Sequence, residues 1–137
     1  MNVYLCGRYA LRKQLRKCAV ELEDAGHTCT STWLHADGSL EVEAKQDVAD
    51  ILRSDVLIQF TDADVETSPH PHAARGGRHW EQGFAYARGL FCMIVGPREN
   101  IFHHLPEISV SDDWPQALAW VNETQAWLDL SDEDDVA

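Results

Sequence analysis

The chain has 137 residues, enough for one domain with its own core. Its formal net charge of −12 argues against wrapping nucleic acid, which draws on lysine and arginine to neutralise phosphates. An apolar content of 45% excludes a wholly disordered chain, and no run approaches the roughly 20 apolar residues of a membrane span.

Asn2–Cys6 is a short apolar run that ends at Gly7 and reads as a first strand. Leu11, Leu15, Cys18, Ala19 and Leu22 then recur at helical spacing, and Gly26 closes that helix. The β-branched and aromatic segment 28–33 predicts a second strand. Asp37-Gly38-Ser39 is a turn signal with Ser39 as N-cap, and Val42, Val48, Ile51 and Leu52 mark a second helix. Val56–Phe60 is continuously apolar apart from Gln59, as expected of a central parallel strand buried on both faces.

Segment 61–77 is irregular and carries Asp62, Asp64, His70, His72 and a Gly76-Gly77 pair. It is longer than a usual βα connection, which draws attention to it as a functional loop. Residues 79–88 read as a helix closed by Gly89, and Phe91–Val95 as a buried strand ending at Gly96-Pro97. A loop over 99–106, a short strand over 108–110 and an amphipathic helix over 114–128 follow. Residues 1–129 therefore form one α/β domain, with 130–137 an acidic tail expected to be mobile. The alternation predicts a single doubly wound, Rossmann-like parallel sheet of five strands flanked by helices. Such sheets bind ligands beyond the carboxyl ends of their strands, where the strand order switches.

Cys6, Cys18, Cys29 and Cys92 form no CxxC pair and read as reduced thiols, Cys6 and Cys92 in the core. Arg8 arrives before any apolar stretch of useful length, so no secretion signal is expected, and a soluble cytoplasmic protein is. His70, His72, His79, His103 and His104 match no standard zinc spacing, and neither a metal nor another cofactor is expected.

Glu81 follows the Gly76-Gly77 pair at the start of a helix. Its carboxylate suits a nucleophile for an electrophilic sugar carbon, and equally a residue serving the helix dipole. Asp47 lies between apolar neighbours, as a cleft acid or a solvated helix residue. Asp55, opening the third strand at the far end of the sheet, reads as structural. The Gly7-Arg8-Tyr9-Ala10 turn opens a helix, where backbone N–H groups can hold a phosphate or a ribose hydroxyl. Arg8 can pair with that phosphate or simply face solvent. Five of the eleven basic residues lie between Arg8 and Lys17, a local patch on an acidic chain.

Three segments in order carry a resemblance. They are Val3-Tyr4-Leu5-Cys6-Gly7, the stretch Asp47-Val48-Ala49-Asp50-Ile51-Leu52-Arg53-Ser54-Asp55-Val56-Leu57-Ile58, and Gly77-Arg78-His79-Trp80-Glu81-Gln82-Gly83-Phe84-Ala85-Tyr86-Ala87-Arg88-Gly89. Together they resemble the nucleoside 2-deoxyribosyltransferase family, including its 2'-deoxynucleoside 5'-phosphate N-hydrolases. The resemblance implies cleavage of the N-glycosidic bond of deoxynucleosides or their 5'-monophosphates. It implies Glu81 as the nucleophile that forms a deoxyribosyl-enzyme, Asp47 as the aspartate near the sugar, and Tyr4 as the tyrosine that orients the nucleophile. Gly7, Arg8, Tyr9 and Ala10 fall at the turn that holds a 5'-phosphate in the hydrolase branch, and Gly77 and Arg78 at the start of the nucleophile helix. Arg75, where transferases tend to carry an acid, with Arg8 and Arg78 favours a phosphorylated substrate and hydrolysis over transfer. Asp62 or Asp64 is placed to protonate the departing base. The family often completes its sites from a neighbouring subunit, which makes Asn100 and His103 candidates and implies a homo-oligomer. The competing readings are a non-catalytic nucleotide-sensing module of the same fold, and an NAD-type glycohydrolase.

Overall fold

A computed structural model describes residues 1–36, 39–61 and 76–135. Among them, β1 (Asn2–Cys6), β2 (Thr28–Cys29), β3 (Val56–Phe60), β4 (Phe91–Val95) and β5 (Ile108–Ser111) form one parallel sheet in the order β2-β1-β3-β4-β5. The helices are α1 (Arg12–Asp24), α2 (Leu40–Leu52), α3 (Gly77–Ala87) and α4 (Trp114–Asp135). This is a doubly wound α/β fold with its switch in strand order between β1 and β3. None of the helices in the described residues is long and apolar enough to cross a membrane.

Strand alternation sorts the core into two layers. Val3, Leu5, Val56, Ile58, Phe60 and Met93 meet Leu15, Cys18 and Leu22 of α1 and Trp114, Ala117 and Val121 of α4. On the opposite face, Tyr4, Cys6, Leu57, Cys92 and Ile94 meet Ile51 of α2 and Ala85 of α3. Tyr4, Gln59, Asp47 and Glu81 belong to the elements that build this second layer. Cys6, Cys18 and Cys92 are buried free thiols, as their apolar settings predict.

The strand predicted over 28–33 stops after Cys29. Thr30 N–H still reaches Val3 O at 2.9 Å, but Ser31 Oγ then accepts from Leu5 N–H at 2.6 Å and Trp33 Nε1 donates to Leu5 O at 2.8 Å. Side chains thus occupy the groups a longer ladder would need, and Thr32–His35 turns as a 3₁₀ helix. The helix predicted to close before an acidic tail continues to Asp135. Within that extension Ser131 Oγ donates to Trp127 O at 3.0 Å, so the hydroxyl folds onto the helix instead of ending it. Ser39 caps α2 as its position predicts, accepting from Val42 N–H at 3.4 Å. Asp55 is structural, accepting from Asn2 N–H at 2.8 Å.

Gly96, at φ 113°, ends β4 against the end of β3: a Cβ there would lie 2.6 Å from Thr61 Oγ1 and 2.9 Å from Thr61 O. This approach holds the carboxyl ends of β3 and β4 together.

Asp50 was not singled out by the sequence, yet it is fully buried and joins α2 to the β2 edge. Its carboxylate accepts from Thr32 Oγ1 at 2.6 Å, Thr32 N–H at 3.2 Å, Gln46 Nε2 at 2.9 Å and the guanidinium of Arg53 at 3.1 Å. Asp50→Ala is expected to lower unfolding free energy by about 2–4 kcal/mol in urea melts, since donors of Thr32, Gln46 and Arg53 lose one shared, buried acceptor. Arg53→Ala should cost less, because that side chain is half exposed.

Candidate active site

Gly76, in the left-handed region at φ 79°, turns the chain into α3, and its carbonyl accepts from His79 N–H and Trp80 N–H. From that start, Arg78, Gln82 and Ala85 face the sheet. Glu81 shares this side, and its carboxylate meets Tyr4 of β1. The Tyr4 hydroxyl donates to Glu81 Oε2. Tyr4 is fully buried within the apolar layer, so its ring is fixed by packing and its hydroxyl by Glu81.

On α2, Asp47 sits one turn before the buried Asp50 and Ile51, and therefore on the inward side. Its Oδ1 is buried and has no hydrogen-bond partner among the described residues. Between α2 and α3 lies a cavity of about 500 Å³, lined by Ala44, Lys45, Asp47, Val48, Gly77, Trp80 and Glu81. Trp80, more than half exposed, stacks on Phe84 with centroids 5.3 Å apart and forms one wall.

Burial dominates the electrostatics. It pushes Glu81 from 4.5 up to about 8; the Tyr4 hydrogen bond opposes the rise and the charge of Asp47 adds to it. Burial likewise raises Asp47 from 3.8 to about 7, with Asp50 and Glu43 adding to the rise. Tyr4 is raised well above its ordinary value, first by burial and then by the charge of Glu81. The helix-dipole expectation for Glu81 does not hold. It is the fifth residue of α3, past the first turn, and burial sets its proton affinity. Tyr4→Phe is expected to raise the Glu81 midpoint above about 8, because a donor to the carboxylate is lost; side-chain carboxyl NMR titration would measure it.

The other predicted residues divide. Gly7 lies at the close approach of β1 to its neighbours, where a Cβ would meet Phe60 Cβ at 3.3 Å and Leu15 Cδ1 at 3.4 Å. Arg8 is mostly buried rather than displayed to solvent, and Tyr9 lies under the Arg12 guanidinium, 4.5 Å from its ring centroid. Arg78 is also buried and pairs with Glu99 at 2.7 Å, so its charge is already met within the chain. Asp62, Asp64, Arg75, His70 and His72 lie outside the described residues.

His103 is fully buried within its own chain. Glu99 N–H donates to its Nδ1 at 2.9 Å, which leaves the proton on Nε2 to donate to Gln59 Oε1 at 2.7 Å. That fixes the Gln59 amide, whose Nε2 donates to His79 Nδ1 at 3.0 Å. Asn100 caps the 3₁₀ segment Ile101–His104 with its Oδ1 and turns its Nδ2 to the same His79 nitrogen at 3.3 Å. Burial lowers the proton affinity of both histidines, consistent with neutral rings. Gln59 was not singled out by the sequence; its one signal is a polar residue inside an apolar strand.

No protein-family model matches the sequence, and no curated protein matches it. Among solved structures, the chain resembles a CMP N-glycosidase, BcmB, from Clostridium botulinum, with a TM-score of 0.58 and 20% identity over 89% of this chain and 98% of that one. At that identity the likeness concerns the fold.

Proposed function

We propose that this protein cleaves the N-glycosidic bond of a nucleoside 5'-monophosphate by hydrolysis, through a covalent sugar–Glu81 intermediate. The observation that carries the reading is the pair of carboxylates, Glu81 and Asp47, lining one cavity with proton affinities raised to about 8 and about 7. Two carboxylates with distinct environments divide the labour of glycosidic cleavage. Tyr4 holds Oε2 of Glu81, which leaves Oε1 to attack the anomeric carbon. The carbon–nitrogen bond breaks, its electron pair goes to the base, and Asp47 supplies the proton. Asp47 then takes a proton from the water that releases the sugar from Glu81. The raised midpoint of Asp47 suits it to both steps near neutral pH.

The resemblance in the three sequence segments supports a 2'-deoxy sugar. The fold neighbour, by its description, acts on CMP, which supports a 5'-monophosphate and favours a second reading in which the sugar is ribose. The charge of Arg78 is not counted toward the phosphate, because Glu99 meets it.

The test is base release from dCMP, CMP, other deoxynucleotides, the matching nucleosides and NAD, with and without an acceptor base. Release from monophosphates without an acceptor supports the proposal, and dCMP against CMP decides the sugar. Turnover that needs an acceptor would make the protein a transferase. Release from NAD alone, or from nothing, would overturn the reading in favour of a glycohydrolase of dinucleotides or a sensing module.

A further inference from the structure

Gln59 is the polar side chain of β3, fully buried and next to last at the carboxyl end of a central strand. A buried amide is costly unless both its ends are paired. Here two other elements pair them. His103 Nε2, on the 3₁₀ segment, donates to Gln59 Oε1 at 2.7 Å, and Gln59 Nε2 donates to His79 Nδ1 of α3 at 3.0 Å. The direction of this chain is not free. It begins at Glu99 N–H, a group that can only donate, on His103 Nδ1 at 2.9 Å. Every later donor and acceptor follows from that one, and the chain closes only while both imidazoles are neutral. A proton on His79 Nδ1 would set N–H against the amide of Gln59, and against Asn100 Nδ2 at 3.3 Å.

What the chain holds is the entry to α3. Gly76 and Gly77 lead into that helix, and a Cβ at either would meet no described atom within 4 Å outside the helix itself. Packing therefore restrains the entry little. The next two residues supply the restraint: Arg78 pairs with Glu99 at 2.7 Å, and His79 bonds to Gln59 of β3. Glu81 follows two residues on, against Tyr4 of β1. We propose that Gln59 is a positioning residue for Glu81: through neutral His79 it clamps the first turn of α3 to β3, and a proton taken up by His79 releases the clamp. The groups facing His79 set that release. Burial opposes the proton, as do the charges of Arg78 and Arg8, while Glu99 favours it, and the balance lies below the ordinary 6.5. On the 3₁₀ segment, a charge on His103 opposes one on His79, and His104 adds to the opposition at His103. The clamp deepens the reading of Glu81 as nucleophile. Its effect on rate rests on that reading; its effect on the surroundings of Glu81 does not.

The test compares wild type, His79→Gln and His79→Phe as full chains. Glutamine keeps an acceptor for the Gln59 amide and does not titrate; phenylalanine keeps a ring and no acceptor. Long-range ¹⁵N imidazole spectra of wild type should show His79 and His103 neutral at pH 7.5, each with its proton on Nε2. In carboxyl NMR titrations His79→Phe should lower the Glu81 midpoint from about 8 by about one unit or more, because a loosened first turn admits water, whereas His79→Gln should leave it in place. In base release, His79→Phe should lose about tenfold or more in kcat with KM within about twofold, and His79→Gln should recover kcat to within about threefold of wild type. Below pH 6.5 the wild-type rate should fall more steeply than that of His79→Gln, by one further proton. Gln59→Glu, which cannot donate to His79, should raise the His79 midpoint above 6.5; this readout and the tautomer spectra do not depend on the phenylalanine variant folding. The clamp is overturned if wild-type His79 carries its proton on Nδ1, if Gln59→Glu leaves the His79 midpoint unmoved, if His79→Phe leaves the Glu81 midpoint in place, or if glutamine at this position behaves as phenylalanine does. A wild type that releases no base from any nucleotide would instead sink the reading of Glu81 as nucleophile, and the two NMR titrations then decide the clamp by themselves.

Discussion

Glu81→Gln is expected to reduce base release by roughly 10³-fold or more while making the protein more stable above pH 8. The amide keeps the size of the side chain and an oxygen for the Tyr4 hydroxyl, but it cannot form the covalent intermediate. The stability gain follows from the raised proton affinity. In the folded protein Glu81 holds its proton up to about 8, whereas the unfolded chain releases it near 4.5. Stability is therefore full below about 4.5 and falls as pH rises through about 8. A glutamine does not titrate and is spared this loss. Allowing for partial exposure, the variant should exceed wild type by about 2–4 kcal/mol at pH 9, with no gain at pH 4. Urea melts at the two pH values would measure the difference. A residue kept for packing would behave in the opposite way, since its replacement would destabilise at every pH. Loss of activity joined to a gain in stability marks a group retained for chemistry.

The second expected result is the pH dependence of kcat/KM. Productive binding needs Glu81 ionised and Asp47 protonated, which is the minority arrangement given midpoints of about 8 and about 7. The rate should follow a bell with limbs near those values and a maximum between them. The limbs belong to the pair rather than to either residue. In Asp47→Asn the alkaline fall should vanish, because no second proton remains to be lost, and the residual activity should rise with pH to a plateau. The midpoint of that rise should lie below about 8, since the charge of Asp47 is one of the influences raising Glu81. An Asp47→Asn profile that keeps both limbs would assign the acid to another group.

Much of the architecture was legible before any coordinates. The apolar runs at Asn2–Cys6, Val56–Phe60 and Phe91–Val95 are strands with those bounds, because a parallel strand covered on both faces must be apolar throughout. Ser39 announced the start of α2, and Gly26 and Gly89 marked helix ends, through conformations that depend on a few neighbouring residues. Glu81, Asp47 and Tyr4 were nominated together through the resemblance of three segments to a known family. The failures share a cause. The second strand was shortened by Ser31 and Trp33 side chains reaching Leu5, 26 and 28 residues away. Asp50 and Gln59 looked unremarkable until their partners on other elements came into view.

What the amino-acid sequence alone determined, then, was the set of elements, their alternation and the residue types at the mouth of the sheet, because these follow from local backbone preference and periodic burial. The tertiary structure alone decided which groups lose water and which meet one another. Burial between α2 and α3, not position in a helix, holds the protons of Glu81 and Asp47, and a buried glutamine joins two histidines distant in the chain. Desolvation and side-chain pairing depend on what other elements lay over a residue, and no local pattern carries that information.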